Sequence, residues 1–385
     1  MRFDFDHPID RRASDSRKWN RYGGRDILPL WVADMDFAAP PVVVDALRAR
    51  VEHGVFGYGY ETRGLKEATV DYVARRYGWK IDEAWLVWLP GLVCGLNVAA
   101  AAIGEAGDEI LCATPVYPPF MSAPTNQRRR TVTAPMVRRG GRWELDFDAL
   151  ERAVTPRTQQ FFLCSPHNPV GRAFSRAELE QVAAFCERHN LVLVSDEIHC
   201  DLVLDAIAHV PAATLSPAVA ARTITLMAPS KTFNVPGLGC SFAVIPHAEL
   251  RTKFARATQG IVPDVNVLGY IACEAAMRHG EPWRQELLAY LRGNRDLIEQ
   301  TVARGELPGL TMTHIEATYL AWLNIEPLKL THAAAFFEQH GLGFSDGAPF
   351  GAAKNTHLRL NFGCTRATLI EALARLRRAL AAAAR

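Results

Sequence analysis

Short apolar runs alternate with longer amphipathic stretches through the middle of the chain. Each run is apolar on both faces and is closed by Pro, Ser, Asp or Gly, which is typical of strands in a sheet that is covered on both sides. The stretch 175–189 between two runs opens with Ser175 and Glu178 in the spacing of a helix capping box. This alternation predicts a mainly parallel, doubly wound α/β sheet. The predicted strands are 109–113, 160–164, 191–195, 223–228 and 240–245.

The pattern changes after Gly280. One long amphipathic stretch, 282–304, predicts a helix, and Pro308-Gly309 predicts a turn after it. The remaining sequence predicts a smaller α+β unit, with no internal repeat and no flexible linker before it. Its predicted elements are strands over 319–325 and 358–362 and helices over 331–340 and from Arg366 onward.

Composition and charge exclude several classes of function. Of the 385 residues, 43 are Lys or Arg and 41 are Asp or Glu, which leaves a formal charge of +2. Neither sign forms a long block, so the sequence predicts no nucleic-acid surface and no anionic-membrane surface, since both need concentrated basic charge. The eight cysteines are scattered without a CxxC pair, which favours buried thiols in a reducing compartment over disulfides or a metal site. We therefore expect a cytoplasmic protein.

The apolar run 86–104 is long enough to suggest a membrane span. Pro90 and Gly91 interrupt it near its start, however, and Asn97 lies inside it. A buried helix that begins after Gly91 explains the pattern better. The acidic N-terminus also lacks the apolar stretch of a signal peptide.

Polar side chains stand after four of the predicted strands. Tyr117, Asn168, Asp196 and Lys231 each come just after a different apolar run, and ligands of open α/β sheets gather at the carboxyl ends of strands. The amine of Lys231 can form a Schiff base with a carbonyl cofactor, and the carboxylate of Asp196 can keep a pyridine nitrogen protonated. The amide of Asn168 can donate to a ring oxygen, and the aromatic ring of Tyr117 can stack on the cofactor. Together they predict a pyridoxal 5′-phosphate (PLP) pocket.

The phosphate of such a cofactor needs free backbone N–H groups at the start of a helix. Gly91, Leu92 and Val93 open the predicted buried helix and can provide them. Competing motifs are absent from the sequence: there is no GxGxxG after a strand, no GK[ST] phosphate loop, no HExxH and no GxSxG. Nicotinamide, nucleotide-hydrolysis, zinc-protease and serine-hydrolase functions are therefore disfavoured.

The motifs SPHNPVG (165–171), SDEIH (195–199) and APSKTFNVPG (228–237) resemble those of fold-type I PLP enzymes of the class I/II aminotransferase group. The resemblance extends over nearly the whole chain. Three further stretches, ADMDF (33–37), HGVFGY (53–58) and TYLAWL (318–323), resemble the MalY/PatB branch, the cystathionine and cysteine-S-conjugate β-lyases. It implies a large PLP-binding domain over 46–285 and a small domain formed by 1–45 and 286–385.

The resemblance also implies roles for single residues. Lys231 would bind the cofactor covalently and take the α-proton of the substrate, and Asp196 would hold the pyridine nitrogen protonated. Asn168 would contact the ring oxygen and the substrate carboxylate, and Tyr117 would stack on the ring. Arg359, in HLRLNFG, would clamp the substrate α-carboxylate.

The remaining implied contacts concern the phosphate and the ring oxygen. The amides of Leu92 and Val93 and the hydroxyl of Ser230 would hold the phosphate, and Tyr58 would reach it from a neighbouring subunit, which implies a homodimer. His199 stands where aminotransferases have a tyrosine near the ring oxygen, and its role is open between cofactor binding and core packing. The chain departs from its relatives at Ala228, where many have Ser, and at Gly239, where aminotransferases often have a phosphate-binding Arg.

The sequence favours a carbon–sulfur β-lyase that converts L-cystathionine or a related L-cysteine S-conjugate to a thiol, pyruvate and ammonia. An aminotransferase is the alternative, because it shares every step through the carbanion and differs only in the fate of that carbanion. A regulatory or scaffold protein on this fold is a third hypothesis, which intact Asp196, Lys231 and Arg359 disfavour. The expected ligands are PLP and an amino-acid substrate, without a metal.

Overall fold

Helices and strands alternate along the chain in the computed structural model, which describes residues 3–383. The strands are β1 (Leu28–Pro29), β2 (Leu86–Leu89), β3 (Glu109–Thr114), β4 (Arg130–Pro135), β5 (Val137–Arg139), β6 (Arg142–Glu144), β7 (Thr158–Cys164), β8 (Val192–Asp196), β9 (Thr223–Met227), β10 (Ser241–Val244), β11 (Thr311–Met312), β12 (Leu320–Asn324), β13 (Leu342–Gly343), β14 (Ser345–Asp346) and β15 (His357–Asn361). The helices are α1 (Arg17–Asn20), α2 (Pro41–Glu52), α3 (Arg63–Tyr77), α4 (Leu92–Ala102), α5 (Pro119–Asn126), α6 (Phe147–Ala153), α7 (Arg176–Arg188), α8 (Pro217–Ala221), α9 (Ala248–Thr258), α10 (Val267–His279), α11 (Glu281–Ala303), α12 (Ala333–Gln339) and α13 (Arg366–Ala383).

A seven-stranded sheet in the order β2-β10-β9-β8-β7-β3-β4 forms the centre of the large part of the molecule. The pairs β9-β8, β8-β7, β7-β3 and β3-β4 are parallel, whereas β10 runs antiparallel to both of its neighbours. The predicted mainly parallel α/β sheet is therefore confirmed. Because the parallel strands share one direction, their carboxyl ends meet at one edge of the sheet.

Both faces of this sheet are covered, which explains why its strands are apolar throughout. On one face Phe162 and Val194 pack in the cluster that contains Leu96 of α4. On the opposite face the preceding residues of the same strands, Phe161 and Leu193, pack in the cluster that contains α7. Successive side chains of a strand point to opposite faces, so neither face can be polar here.

The predicted elements agree with the observed ones to within one or two residues at most ends. Helix α7 begins after Ser175 with the predicted capping box, in which the side chains of Ser175 and Glu178 each accept from the other residue's backbone N–H. Two strands of the sheet, β2 and β4, lack a sequence prediction. They form the edges of the sheet, and β4 has a mixture of exposed and buried residues, so it lacks the continuous apolar run of a central strand.

The C-terminal part forms a second, antiparallel sheet in the order β11-β12-β15-β14. The N-terminal segment packs beside it: β1 and β13 form a separate two-stranded parallel sheet, and the side-chain amide of Asn361 in β15 donates to the carbonyls of Val32 and Asp34. The division into domains at 45/46 and 285/286 stays a prediction. Within 3–383, no helix has the length and apolarity needed to cross a membrane.

Candidate active site

A cavity of about 240 Å³ lies at the carboxyl ends of β3, β7, β8 and β9. Nine of the ten residues that are predicted to bind cofactor or substrate line this cavity. Tyr58 is the exception, because it is fully exposed and does not line the cavity of the single chain. The nine residues that line it are Leu92, Val93, Tyr117, Asn168, Asp196, His199, Ser230, Lys231 and Arg359.

Lys231 lies in the loop after β9 and is half-buried in the wall of the cavity. Its Nζ donates to the carbonyl of Ala33 at 2.6 Å. Burial lowers the pKa of Lys231 to about 8, and the positive charge of Arg359 also lowers it, while Asp34 and Asp196 act in the opposite direction. A lysine with a lowered pKa carries more of the neutral amine at physiological pH, which is the nucleophilic and basic form.

Asp196 is the last residue of β8 and is buried in the cavity wall. Its Oδ1 accepts one hydrogen bond, from the backbone N–H of Ile198 at 3.1 Å. Burial raises the pKa of Asp196 to about 7, and the neighbouring Glu197 raises it further, while Ile198 and Lys231 lower it. The carboxylate thus has acceptor capacity left for a cationic N–H donor, which would favour its ionised form.

Arg359 projects from β15 and is buried without a carboxylate partner within residues 3–383. Its Nη1 donates to Oδ1 of Asn168 at 3.1 Å and its Nη2 to the carbonyl of Trp31 at 2.8 Å. Its buried Nε has no hydrogen-bond partner in the described part of the chain, and burial lowers the pKa of Arg359 to about 10. A buried cation with only neutral partners and a free N–H is a strong binding site for an anion.

His199 and Tyr117 form further parts of the wall. The Nδ1 of His199 is buried and has no partner among the described residues, and its ring meets the ring of Tyr319 edge to face at 6.1 Å. Burial lowers the pKa of His199 to about 3, and Lys231 and Arg359 lower it further. The imidazole is therefore neutral, and its cavity position keeps a cofactor-binding role open as a prediction.

The start of α4 forms another part of the cavity wall. The helix begins at Leu92 and has Gly91 as its N-cap residue, so the first backbone N–H groups have no partner within the helix. Gly239 has φ of +55°, and a Cβ there would lie 3.1 Å from the carbonyl oxygen of Pro90. An arginine at this position would be strained, which explains the departure from the aminotransferase pattern in conformational terms.

The N-terminal segment contributes cavity residues that the sequence alone does not reveal. Val32 and Ala33 line the cavity, and Asn234 holds the segment by accepting from the N–H of Met35 at 2.9 Å and donating to its carbonyl. Val32 immediately precedes the ADMDF motif, which is the one signal that could have indicated it. Further lining residues without a prediction are Cys164, Ile198, Pro236, Cys240 and Ser241.

The protein-family model for class I and II aminotransferases matches residues 25–376. The chain belongs to this family. It is 36% identical to cystathionine β-lyase PatB of Bacillus subtilis, over 98% of this chain and 99% of PatB, and this similarity confirms the predicted MalY/PatB resemblance.

Two solved structures have the same fold over almost their whole length. OvoB is 50% identical, with a TM-score of 0.95 over 98% of this chain and 99% of that one. Cystalysin from Treponema denticola, whose structure contains pyridoxal 5′-phosphate, is 30% identical, with a TM-score of 0.95 over 99% of this chain and 100% of that one. The predicted fold class is thus confirmed for the chain as a whole.

Proposed function

We propose that this protein is a PLP-dependent carbon–sulfur β-lyase that splits L-cystathionine or a related L-cysteine S-conjugate into a thiol, pyruvate and ammonia. The observation that carries the proposal is the meeting of half-buried Lys231 with buried Asp196 and Arg359 around one cavity. The similarity to PatB, a cystathionine β-lyase, supports the reaction, and the similarity to the PLP-containing cystalysin supports the cofactor.

The residues of the cavity fit PLP by their chemistry. Lys231 provides an amine for the cofactor aldehyde, and Asp196 provides a carboxylate with acceptor capacity left for the pyridinium N–H. The free N–H groups of Leu92 and Val93 and the hydroxyl of Ser230 would hold the phosphate. Asn168 and His199 would lie near the ring oxygen, and Tyr117 would stack on the ring.

Bound PLP withdraws electrons from the α-carbon of an amino acid, which makes the α-proton acidic. Arg359 then orients the substrate by binding its α-carboxylate through two N–H groups, with Asn168 assisting. The neutral amine of Lys231 accepts the α-proton and can return it to the departing thiolate. Burial of these groups excludes water, which strengthens each of their electrostatic contacts.

We also propose that the protein is a cytoplasmic homodimer. The segment around Tyr58 supports the dimer, because within six residues it exposes the side chains of Val55, Phe56, Tyr58 and Tyr60, and exposed large apolar side chains in one segment are typical of an interface. In that arrangement Tyr58 would reach the phosphate of the neighbouring subunit. All eight cysteines are free thiols, which supports a reducing compartment.

The proposal is tested by incubating the purified, PLP-loaded protein with L-cystathionine and no keto acid. We expect continuous release of pyruvate with an equal amount of thiol. Bleaching of the cofactor absorbance after one turnover, restored by adding a keto acid, would instead establish the aminotransferase that the sequence leaves open.

A further inference from the structure

The wall of the cavity near Arg359 is connected to the N-terminal helix α1. The carbonyl of Trp31 accepts from Nη2 of Arg359 at 2.8 Å, and the next residue, Val32, lines the cavity. The indole Nε1 of Trp31 in turn donates to the carbonyl of Lys18, in α1, at 3.1 Å. The first residues of α1 are therefore fixed beside the substrate-binding part of the cavity.

Two guanidinium groups lie over the indole of Trp31. The Cζ of Arg21 is 4.6 Å from the ring centroid and that of Arg17 is 5.9 Å away. Arg21 also lies 3.9 Å from a carboxylate oxygen of Glu338, so its charge is partly compensated. Arg17, by contrast, forms no ion pair with any residue of the range 3–383 and is exposed.

Trp31 connects Arg17 to the cavity wall, since its indole lies under the guanidinium of Arg17 and its carbonyl accepts from Arg359. Burial raises the pKa of the Tyr117 hydroxyl, whereas Arg359 and Arg17 lower it and Asp196 raises it. Tyr117 lines the cavity together with Arg359, and the effect of Arg17 on its pKa agrees with the position of Arg17 over Trp31. An α-carboxylate bound by Arg359 would leave Arg17 free for a second anionic group.

We propose that Arg17 is a specificity-determining residue that favours L-cysteine S-conjugates with a carboxylate on the sulfur substituent. This inference rests on the proposed lyase function. A guanidinium that already lies on an indole ring has fewer conformations to lose when it binds a carboxylate. The preferred substrates are thus anionic conjugates, with the second carboxylate on the thiol that leaves.

The test compares S-(2-carboxyethyl)-L-cysteine with its neutral amide, S-(2-carbamoylethyl)-L-cysteine, which has nearly the same shape. We expect the wild-type protein to prefer the acid, and R17A to lose about threefold to fivefold in kcat/KM for the acid through KM, as for a solvent-exposed ion pair. The amide should react equally with both proteins. The difference should decrease as salt is raised, because the pair is accessible to water.

R12A is the matched control, because Arg12 lies over Trp19 at 5.4 Å and not over Trp31. It should leave the acid-to-amide ratio unchanged. Charge reversal in R17E should lower the ratio further than R17A does. An unchanged ratio in both R17A and R17E would overturn the proposal.

A binding measurement separates this inference from the lyase function. S-(2-carboxyethyl)-α-methyl-L-cysteine lacks the α-hydrogen and therefore cannot undergo β-elimination. Calorimetry can thus compare its affinity for wild type, R17A and R12A. Weaker binding to R17A alone supports the role of Arg17 even if neither conjugate yields pyruvate. Equal affinities would refute it, whereas absence of pyruvate from L-cystathionine and from both conjugates with the wild type would refute the lyase function.

Discussion

Replacement of Arg359 tests the proposed carboxylate clamp most directly. In R359A the two N–H donors that face Asn168 and Trp31 are lost, and a substrate carboxylate would enter a buried site without a countercharge. R359K keeps the charge but cannot form two parallel hydrogen bonds. The α-carboxylate is common to every L-cysteine conjugate, so the loss should be similar for all of them.

The size of this loss in R359A depends on the burial of Arg359, of which 4% remains exposed. Truncating one partner of a buried, hydrogen-bonded charge pair costs about 2–5 kcal/mol. At about 1.4 kcal/mol per factor of ten, kcat/KM of R359A should fall by about 30-fold to a few thousand-fold. R359K should lie between R359A and the wild type.

The assay is pyruvate release over a wide range of substrate concentrations. R176A is the control, because Arg176 pairs with Glu180 and both side chains are more than half exposed, and such pairs contribute at most about 1 kcal/mol to stability. Its kcat/KM should stay within about twofold of the wild type. If kcat/KM of R359A also stays within about fivefold of the wild-type value, with KM unchanged, Arg359 does not bind the substrate carboxylate.

Three further predictions concern the cofactor end of the cavity. K231A should lose the visible absorbance of covalently bound PLP, and its pyruvate release should fall at least about 100-fold, since it lacks the general base. The folded-state pKa of Asp196 is raised to about 7, so its carboxyl should destabilise the ligand-free protein increasingly as pH rises from about 4 to 7. The melting temperature of D196N should therefore fall less over that pH range than that of the wild type. G239A should unfold about 1 kcal/mol more easily than the wild type in urea and should release PLP faster, because φ is +55° and the new Cβ would lie 3.1 Å from the carbonyl of Pro90.

Each of these predictions has a measurement that can contradict it. Retained absorbance and turnover in K231A, with an unchanged circular dichroism spectrum, would exclude the lysine as the attachment site and base. Identical pH dependence of the melting temperature in D196N and wild type would contradict a raised pKa. G237A is the control for G239A, since its Cβ would meet no atom within 4 Å, and an equal effect of both substitutions would exclude strain at Gly239.

The central sheet could be predicted because its information is local. Every buried strand of this sheet needs apolar side chains on both faces, so strands such as β7 and β8 are recognisable from a few consecutive residues. The carboxyl ends of parallel strands meet at one edge of the sheet, so the residues that follow these strands lie close together. These residues are Asn168, Asp196 and Lys231. The edge strand β4 has no such pattern, because part of it faces solvent.

The position of Arg359 came from the resemblance, since no periodicity in the sequence connects it to the cavity. Its hydrogen bond to Asn168 joins residues that are 191 positions apart. The role of Gly239 likewise required the structure, because only the nearby carbonyl of Pro90 and the positive φ explain why a side chain is disfavoured there.

The sequence by itself determined the class of fold and the chemical groups available for catalysis. Short apolar runs that end in polar residues are local features, and the folding rules of parallel sheets bring such residues together. Only the tertiary structure decided how the N-terminal segment completes the cavity, with Ala33 accepting from Lys231 across 198 positions and Trp31 connecting Arg359 to Arg17. These contacts depend on how two distant parts of the chain pack, and packing of that kind leaves no periodic signal in the sequence.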